Sequence, residues 1–393
     1  MKVLLCLLSE QHVPNLLSVH HYRPDQLVLL ESPQMQRREA ARHFLEALSR
    51  GSLDYGSRCH VQPVPAEDDL GRIRAALQEA FGRFPSTTWI ANVTGGTKPM
   101  SIATYDFFKS HGGRIVYTNL AQPDRIVDLD SSATETCTHR PTVEEFVTGY
   151  GFRLVKPAKD LEEARQRAAQ ELCRTTANLL ASSEAAYDGP KLDDADWEKA
   201  RKKGIELQAD QFAFPCDELR ELWLGHNASR ALTKYEGEFL TGGWLEVFFY
   251  NLLSRHADQL GIWDVSLGQN IGTENAQTGV SNDIDVCFMH NYGLAMLECK
   301  SGSEGYSQSS GMDTLNKIEA VAQQQGALRV RSFFATTWLD VLDKVGNVRD
   351  GLKRRANMYK CTLITRDQIR ELAELELAQS PTTVSRVAER FRL

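Results

Sequence analysis

Short apolar runs alternate with helical segments over the first 150 residues of this 393-residue chain. This alternation limits the fold more than any other feature. The predicted strands are Val3–Leu8, Leu27–Leu30, Thr88–Val93 and Arg114–Thr118. The predicted helices are Met35–Ser49, Leu70–Phe81 and Lys98–Ser110. Near-continuous apolar strands separated by helices are typical of an open parallel sheet that is covered on both faces. The sequence therefore predicts an α/β domain at residues 1–150, in which ligands bind beyond the carboxyl ends of the strands.

The strand pattern stops near residue 150 and resumes near residue 236. Residues 151–235 contain helical patterns with charged faces, interrupted by Pro190 and Pro215, and we interpret them as a helical linker domain. The elements predicted after the linker are a helix at Thr241–His256, strands at Asp264–Gln269, Ile284–Met289 and Leu294–Glu298, a helix at Asp313–Gln325, a strand at Arg331–Thr336, a helix at Trp338–Val345, and a strand and helix within Cys361–Leu377. This order predicts a second α/β domain at residues 236–393.

Charge and cysteine content narrow the class of protein. The net charge of −7 excludes a globally basic surface, so a nucleic-acid partner would have to meet a local groove or a bound cation. None of the eight cysteines forms a C-x-x-C pair, which indicates reduced thiols. The apolar run Val3–Leu8 is too short for a signal sequence, and no run approaches the roughly 20 residues that span a bilayer. We therefore expect a soluble cytoplasmic protein with no membrane partner.

Two apolar strands in the second domain carry charged residues where bare charge is costly. The segments "DIDVCFMH" and "GLAMLECK" are joined by a turn at His290–Gly293, which predicts a hairpin. The hairpin brings Asp285 opposite the strand end that carries Glu298 and Lys300. Two converging carboxylates make a hard-oxygen site for magnesium or manganese. A lysine beside them can position water and neutralise charge on a phosphate.

Two simpler interpretations of these residues remain open. Asp285 and Lys300 can form a structural ion pair across the hairpin while Glu298 stays solvated. Glu246 is the one acid in the apolar helical stretch "GGWLEVFFYNLL", and it either serves the metal or faces solvent.

The pattern "NDIDV…LECKSG", with the preceding helix and the following helix and strand, resembles the catalytic core of the PD-(D/E)xK nuclease superfamily. The resemblance implies a restriction-endonuclease-like α/β domain. It implies that Asp285 and Glu298 bind the metal, that the backbone carbonyl of Cys299 is a further ligand, and that Lys300 is the catalytic lysine. Glu246 matches the acid of the family's first helix, and Asp283 stands where many relatives have glutamate.

Two polar loops in the first domain have the chemistry of a phosphate site. The loop Thr94–Pro99 matches neither ordinary nucleotide fingerprint, but its two glycines, Thr97, Lys98 and the following helix N-terminus all suit phosphate. The alternative is a tight turn that merely begins a helix. The loop after the first strand contains Ser9, Glu10, Gln11 and Asn15, and it would line the same crevice. Alone, this second loop is an ordinary polar connection.

Together these loops resemble those of the CARF domain, a Rossmann-like sensor of cyclic oligoadenylates in CRISPR-associated proteins. The resemblance implies a homodimer that holds the ring through residues of both loops: Ser9, Gln11, Thr94, Gly95, Gly96, Thr97, Lys98 and Met100. The whole chain resembles the ancillary nucleases of type III CRISPR antiviral defence, which join such a sensor to a PD-(D/E)xK domain.

The favoured hypothesis is an endonuclease that depends on Mn²⁺ or Mg²⁺ and is activated allosterically. Its expected activator is cyclic tetra-adenylate, with cyclic hexa-adenylate as the alternative. Its expected substrate is single-stranded DNA, RNA or both, with supercoiled DNA as a further alternative. Two other hypotheses are a non-catalytic sensor that binds nucleic acid or a partner protein, and a nucleotide-dependent metabolic enzyme. The missing dinucleotide fingerprint argues against the metabolic enzyme.

Overall fold

The computed structural model describes residues 1–119, 121–155, 174–183, 194–206, 231–273, 282–301, 308–324 and 329–393. Parts of the predicted linker helices, including Pro190 and Pro215, lie outside the described residues. Within these ranges, every helix is too short or too polar to cross a bilayer. The cysteines that these ranges contain are free thiols, and five of them are buried: Cys6, Cys137, Cys287, Cys299 and Cys361.

Strands and helices alternate along most of the described chain. The strands are β1 (Lys2–Leu7), β2 (Gln26–Glu31), β3 (Cys59–Pro63), β4 (Thr88–Asn92), β5 (Arg114–Thr118), β6 (Arg125–Asp128), β7 (Thr134–Thr136), β8 (Phe152–Val155), β9 (Ile205–Glu206), β10 (Ala231–Leu232), β11 (Ile262–Thr273), β12 (Asn282–His290), β13 (Gly293–Lys300), β14 (Val330–Thr336) and β15 (Cys361–Ile364). The α-helices are α1 (Val13–Tyr22), α2 (Pro33–Arg37), α3 (Ala40–Arg50), α4 (Leu70–Gly82), α5 (Lys98–His111), α6 (Val143–Thr148), α7 (Arg174–Ser182), α8 (Asp194–Lys203), α9 (Lys234–Glu238), α10 (Trp244–Arg255), α11 (Ala257–Leu260), α12 (Gln308–Gln324), α13 (Asp350–Met358), α14 (Arg366–Leu377) and α15 (Thr383–Phe391).

The first domain is built on a seven-stranded sheet in the order β3-β2-β1-β4-β5-β6-β7. The five strands from β3 to β5 are parallel, and β6 and β7 continue the sheet as an antiparallel hairpin. Alternate residues of β1 enter two different cores, with Val3 and Leu5 on one face and Leu4 and Cys6 on the other. Burial on both faces explains the continuous apolar run, and the predicted open α/β sheet is confirmed.

The second domain is built on a six-stranded mixed sheet in the order β15-β14-β13-β12-β11-β8. Its outermost strand β8 comes from residues 152–155, which the sequence assigns to the helical linker. These residues instead pair antiparallel with β11, from Val155–Asn270 to Phe152–Thr273. The short apolar run "FRLV" follows Gly151 at φ +84, and this turn directs the chain onto the edge of the second sheet. The prediction therefore assigned this strand to the wrong structural unit.

Helices α7 and α10 fill one side of the second sheet. Ala177, Leu180 and Ala181 of α7 are buried in the core that α10 and α14 form against the strands. The predicted helix Thr241–His256 is realised as α10, preceded by an irregular turn in which Gly242 has φ 176. The core of the second domain therefore includes a helix from the region between the two sheets.

The other side of the second sheet faces the first domain. Alternate residues of β12 and β13 point to opposite faces, and Cys287, Met289, Leu294 and Met296 share a core with Phe146 of α6. Two hydrogen bonds join the same surfaces. Val143 N donates to Asp264 Oδ2 at 2.6 Å, and Trp263 Nε1 donates to the Pro141 carbonyl at 2.7 Å. The two domains therefore share a continuous apolar core.

Candidate active site and ligand-binding loops

The hairpin of β12 and β13 sets the geometry of the candidate active site. Its turn is Asn291–Tyr292, whose φ angles of 47° and 61° are those of a left-handed two-residue turn. The register runs from His290–Gly293 to Val286–Leu297. One step further along this register lies Asp285, opposite Glu298. The sequence prediction that the hairpin brings these two acids together agrees with this register.

Where the backbone hydrogen bonds between β12 and β13 end, the carboxylate of Asp285 takes the place of a backbone acceptor. Its Oδ2 accepts a hydrogen bond from the backbone N–H of Cys299 at 2.6 Å. Lys300 Nζ lies 2.8 Å from Glu298 Oε1 and 3.8 Å from Asp285 Oδ2. Glu298 is only 5 % exposed, so the alternative in which this acid is solvated is wrong. Both acids and Lys300 form one cluster on the sheet face that α6 contacts.

Burial and mutual repulsion shape the charge state of this cluster. Burial and then the charge of Glu298 raise the pKa of Asp285 to about 6, against the lowering effect of Lys300. Burial lowers the pKa of Lys300, but the charges of Asp285 and Glu298 outweigh it and leave that pKa above its ordinary value. The two carboxylates therefore hold a lysine tightly and still repel each other.

A second lysine, Lys317 of α12, reaches the same acid. Its Nζ lies 3.1 Å from Glu298 Oε1 and 3.4 Å from the Asp283 carbonyl. No role was predicted for Lys317, because it lies next to ordinary core positions of α12 such as Ile318 and only tertiary packing brings it to the hairpin. Asp283 is separate from the cluster, because its Oδ1 accepts from Asn270 Nδ2 at 2.7 Å.

Glu246 lies in the first turn of α10, and the start of this helix lies close to the end of β13, where Ser301 Oγ donates to the Gly242 carbonyl at 3.5 Å. Burial and then the charges of Asp285 and Glu246 hold the pKa of the Cys299 thiol well above its ordinary value, which places Glu246 near this residue. In an extended strand, the N–H and C=O of one residue point to the same edge. Because the Cys299 N–H points at Asp285, its carbonyl faces the same side, as a further metal ligand would require.

The loop between β4 and α5 fits closely against the end of β1. Thr97 caps α5, accepting from Met100 N at 3.4 Å, and Pro99 occupies the first turn. A Cβ at Gly95 would stand 2.0 Å from the Leu7 carbonyl oxygen, so only glycine fits there. Gly96 has φ +71, in the left-handed region that favours glycine. The two glycines therefore let the loop backbone lie directly on the neighbouring strand end.

A buried asparagine ties the two loops together. Asn92, at the end of β4, donates to Asn15 Oδ1 at 3.0 Å and to Ser18 Oγ at 2.9 Å. Its own Oδ1 accepts from Thr94 N at 3.1 Å, and Asn15 Nδ2 donates to the Leu7 carbonyl at 2.8 Å. Asn92 was not among the predicted site residues, although an amide at the end of the apolar run "TWIAN" was a visible signal.

The predicted ligand-binding residues differ in how far their side chains are exposed to solvent. Glu10 and Lys98 are exposed, and Glu10 pairs with Arg38 at 3.0 Å. The side chains of Asn15 and Met100 are buried within the domain. Intermediate exposure is shared by Ser9, Gln11, Thr94, Gly96 and Thr97. The buried side chains of Asn15 and Met100 therefore support the loops from below.

Two protein-family models match the chain. The model described as "Card1 CARF domain" matches residues 3–146, and the model described as "Card1-like, endonuclease domain" matches residues 233–377. A search of curated proteins found no match.

Two solved structures share the fold over nearly the whole chain. Can2 from Sulfobacillus thermosulfidooxidans, in complex with cyclic tetra-adenylate, is 23 % identical with a TM-score of 0.66, over 96 % of this chain and 99 % of that one. Protein VC1899 from Vibrio cholerae is 17 % identical with a TM-score of 0.71, over 96 % and 97 %. The two sheets, the hairpin acids and the two family matches lead to one conclusion. The chain joins a CARF domain of the Card1 type to a Card1-like endonuclease domain.

Proposed function

We propose that the protein is a divalent-metal-dependent nuclease that a cyclic oligoadenylate activates, and that it acts in type III CRISPR antiviral defence. The observation that carries this proposal is the convergence of Asp285, Glu298 and Lys300 on one hairpin of an endonuclease-family domain. The CARF family match supplies the sensing half.

The donor set fits a hard cation such as Mn²⁺ or Mg²⁺. The carboxylates of Asp285 and Glu298 would hold it, with the Cys299 carbonyl and Glu246 as further ligands. The raised pKa of Asp285 supports this assignment, because burial and then repulsion from Glu298 raise it, and a bound cation would stabilise both buried charges. When bound, such an ion acidifies water and neutralises charge on the phosphodiester.

The remaining groups of the cluster act on the substrate and its surroundings. Lys300 carries positive charge beside both acids and stabilises the charge that develops on the phosphate. Lys317 holds Glu298 from α12 and fixes the orientation of its carboxylate. The Cys299 N–H holds Asp285 in the same way. These contacts keep both acids in place before substrate arrives.

The sensing site is proposed at the Thr94–Pro99 and Ser9–Asn15 loops. The dipole of α5 places partial positive charge at the N-terminus of this helix, and exposed Lys98 adds positive charge for a phosphate. We take cyclic tetra-adenylate as the activator, which the bound ring of similarly folded Can2 supports. A two-fold symmetric ring fits between two copies of the domain, and Ile102 of α5, 56 % exposed, is an apolar side chain that such a homodimer would bury.

The test is a cleavage assay with Mn²⁺ on single-stranded DNA, RNA and supercoiled plasmid, with and without cyclic tetra- or hexa-adenylate. Glu298→Gln removes the negative charge at constant size, and Glu374→Gln at an exposed position of α14 is the matched control. We expect cleavage that needs the activator, falls at least 100-fold in Glu298→Gln and is unchanged in Glu374→Gln. Activator binding without cleavage of any substrate would instead establish a non-catalytic sensor.

A further inference from the structure

Three potential metal ligands meet inside the first domain, apart from both proposed sites. They are His20 near the end of α1, His139 before α6, and Glu145 on α6. His139 Nε2 lies 2.8 Å, and His20 Nε2 lies 3.5 Å, from the same Oε1 of Glu145. All three candidate ligand atoms lie within 4.8 Å of one another.

The cluster is buried and contains a carboxylate. Glu145 is 1 % exposed and His20 is 7 % exposed. Although burial raises it, hydrogen bonds from His139, His20 and the Thr142 N–H bring the pKa of Glu145 down to about 2. His20 Nε2 lies 3.5 Å from Glu145 Oε1, at the outer limit of a hydrogen bond, and within the described part of the chain no other group reaches it.

We propose that His20, His139 and Glu145 bind one divalent transition-metal ion of the zinc class. Two imidazole nitrogens and one carboxylate oxygen are a set that Zn²⁺ accepts, with water in the fourth position. Nitrogen ligands at about 2.0–2.1 Å from such an ion lie roughly 3.4 Å apart in a tetrahedron. The separation of 3.5 Å between His20 Nε2 and Glu145 Oε1 already matches this requirement.

The backbone of Gly51 leaves room at the ligand atoms. A Cβ at this position would stand 2.2 Å from Glu145 Oε1 and 2.8 Å from His20 Nε2. Gly51 follows α3 at φ −81, where any residue fits the backbone, so space at the cluster is the reason for glycine. Glu145 is itself held in place, since its Oε2 accepts from Thr142 N at 2.8 Å in a capping box.

Ion binding requires one ring to move. The rings of His20 and His139 are stacked, with centroids 3.4 Å apart and planes 3° from parallel. A nitrogen lone pair lies in its ring plane, so two parallel rings cannot both aim at one ion. His139 lies outside the helices and its side chain is 23 % exposed, whereas the His20 side chain is 4 % exposed. Binding therefore tilts the His139 ring out of the stack.

A bound ion would crosslink α1 to α6. Helix α6 begins at Val143, whose N–H donates to Asp264 of the second domain. The segment between His139 and α6 also contains Pro141, the acceptor for Trp263. The proposed ion therefore stiffens the part of the first domain that contacts the endonuclease domain.

The test measures zinc on the full chain in the background Asp285→Asn with Glu298→Gln, which removes the other proposed metal site. Zinc content after dialysis and the absorption spectrum with Co²⁺ are compared among this background, its His139→Gln derivative and its His21→Gln derivative. His21 is the matched control, because it adjoins His20 in sequence but contacts Glu135 instead. We expect one ion per chain, affinity at least tenfold weaker with His139→Gln, and no change with His21→Gln.

Thermal unfolding with and without zinc completes the test. His139→Gln is the test variant because His139 is partly exposed, and a partly exposed position tolerates substitution. We expect zinc to raise the Tm of the background protein and not that of its His139→Gln derivative. No saturable zinc binding, or equal binding and equal stabilisation in the His139→Gln derivative, would overturn the proposal. The two histidines would then serve only to pair with the buried carboxylate of Glu145. Because the catalytic acids are removed throughout, these outcomes are independent of the proposed nuclease activity.

Discussion

Gly95 lies where the neighbouring strand β1 leaves no room for a side chain. Substituting Gly95→Ala forces a Cβ to within 2.0 Å of the Leu7 carbonyl, so the loop must move away from the end of β1. We expect at least tenfold weaker binding of cyclic tetra-adenylate, measured by isothermal titration calorimetry. Gly82→Ala is the control, because its Cβ would meet no described atom within 4 Å. Equal weakening by both substitutions would contradict this account.

The two lysines at Glu298 should contribute unequally to cleavage. Lys300 is close to both acids, whereas Lys317 is close to Glu298 alone. We expect Lys300→Met to lower kcat by about 100-fold or more, the scale of losing one group that stabilises transition-state charge, and Lys317→Met to lower it less. Initial cleavage rates at saturating activator check this order, with Lys353→Met at an exposed position of α13 as the control. A larger effect at Lys317 would reverse the assigned roles.

His12 should make the first domain sensitive to acid. Its ring is 4 % exposed, packs against Tyr150, and makes no hydrogen bond to any described residue. Burial, and then the charge of Arg329, lower its pKa from 6.5 to about 3. Between these values the unfolded chain binds a proton that the folded chain does not, so stability falls as the pH falls below 6.5.

Replacing this histidine with His12→Leu removes that proton-binding difference. Between pH 7 and pH 5.5, we expect the variant to lose roughly 1 kcal/mol less of its free energy of unfolding than the natural chain, from urea titrations. Equal losses in the two proteins would show that His12 is accessible to protons in the folded state.

At the scale of elements, the sequence pattern predicted those helices and strands that are determined by interactions between residues close together in the sequence. The β12–β13 hairpin was predictable because its strands, turn and acids are contiguous in the sequence. The predicted helix Trp338–Val345 is wrong: a single 3₁₀ turn at Leu339–Val341 gives way to a loop. In that loop the Asp343 carboxylate accepts from Val345 N at 2.8 Å and from Asn347 N at 2.9 Å, and so competes with helix hydrogen bonds.

Other elements were missed because tertiary contacts decide them. Strand β3 has little apolar periodicity, and it is a strand because it pairs with β2. The predicted helix Met35–Ser49 is divided into α2 and α3 at Glu39, which has φ +52. The contacts of Lys317 and the cluster of His20 with Glu145 join residues far apart in sequence, so no spacing rule revealed them.

We expect helix α7 to contribute to the stability of the endonuclease domain. Leu180 is 1 % exposed and shares a core with residues of α10 and α14. We expect Leu180→Ala to lower the free energy of unfolding of this domain by about 2–5 kcal/mol, the usual cost of such a core truncation. Calorimetry would show it as a lower Tm. An unchanged Tm would show that α7 is not required for that core.

At the scale of the whole molecule, the first domain packs on the face of the second sheet that carries the acids. Asp285 points to the same face of β12 as Cys287 and Met289, which share a core with Phe146 of α6. Interfaces of this kind are bistable elements through which a ligand can shift a distant site. The proposed activation therefore has a short physical route from sensor to cluster.

The hydrogen bond from Trp263 to Pro141 tests this route. Trp263→Phe removes the donor and leaves the Pro141 carbonyl without it. We expect the Kd for cyclic tetra-adenylate to change less than twofold, while the ratio of activated to basal cleavage falls about tenfold, a coupling loss on the order of 1.4 kcal/mol. Parallel titrations of binding and of cleavage measure the two quantities. A changed Kd with an unchanged ratio would place the coupling elsewhere.

Strand β8 has a consequence for the exchange of modules between proteins. The chain leaves α6 and immediately becomes the outermost strand of the endonuclease sheet, paired with residues 270–273. A recombination event that replaced the sensor up to residue 155 would also replace that strand, and the incoming sequence would have to match the exposed edge of β11. A crossover before Gly151 would spare it. Independent inheritance of the two domains is therefore constrained by four residues that directly follow the sensor in sequence and belong to the nuclease sheet in space.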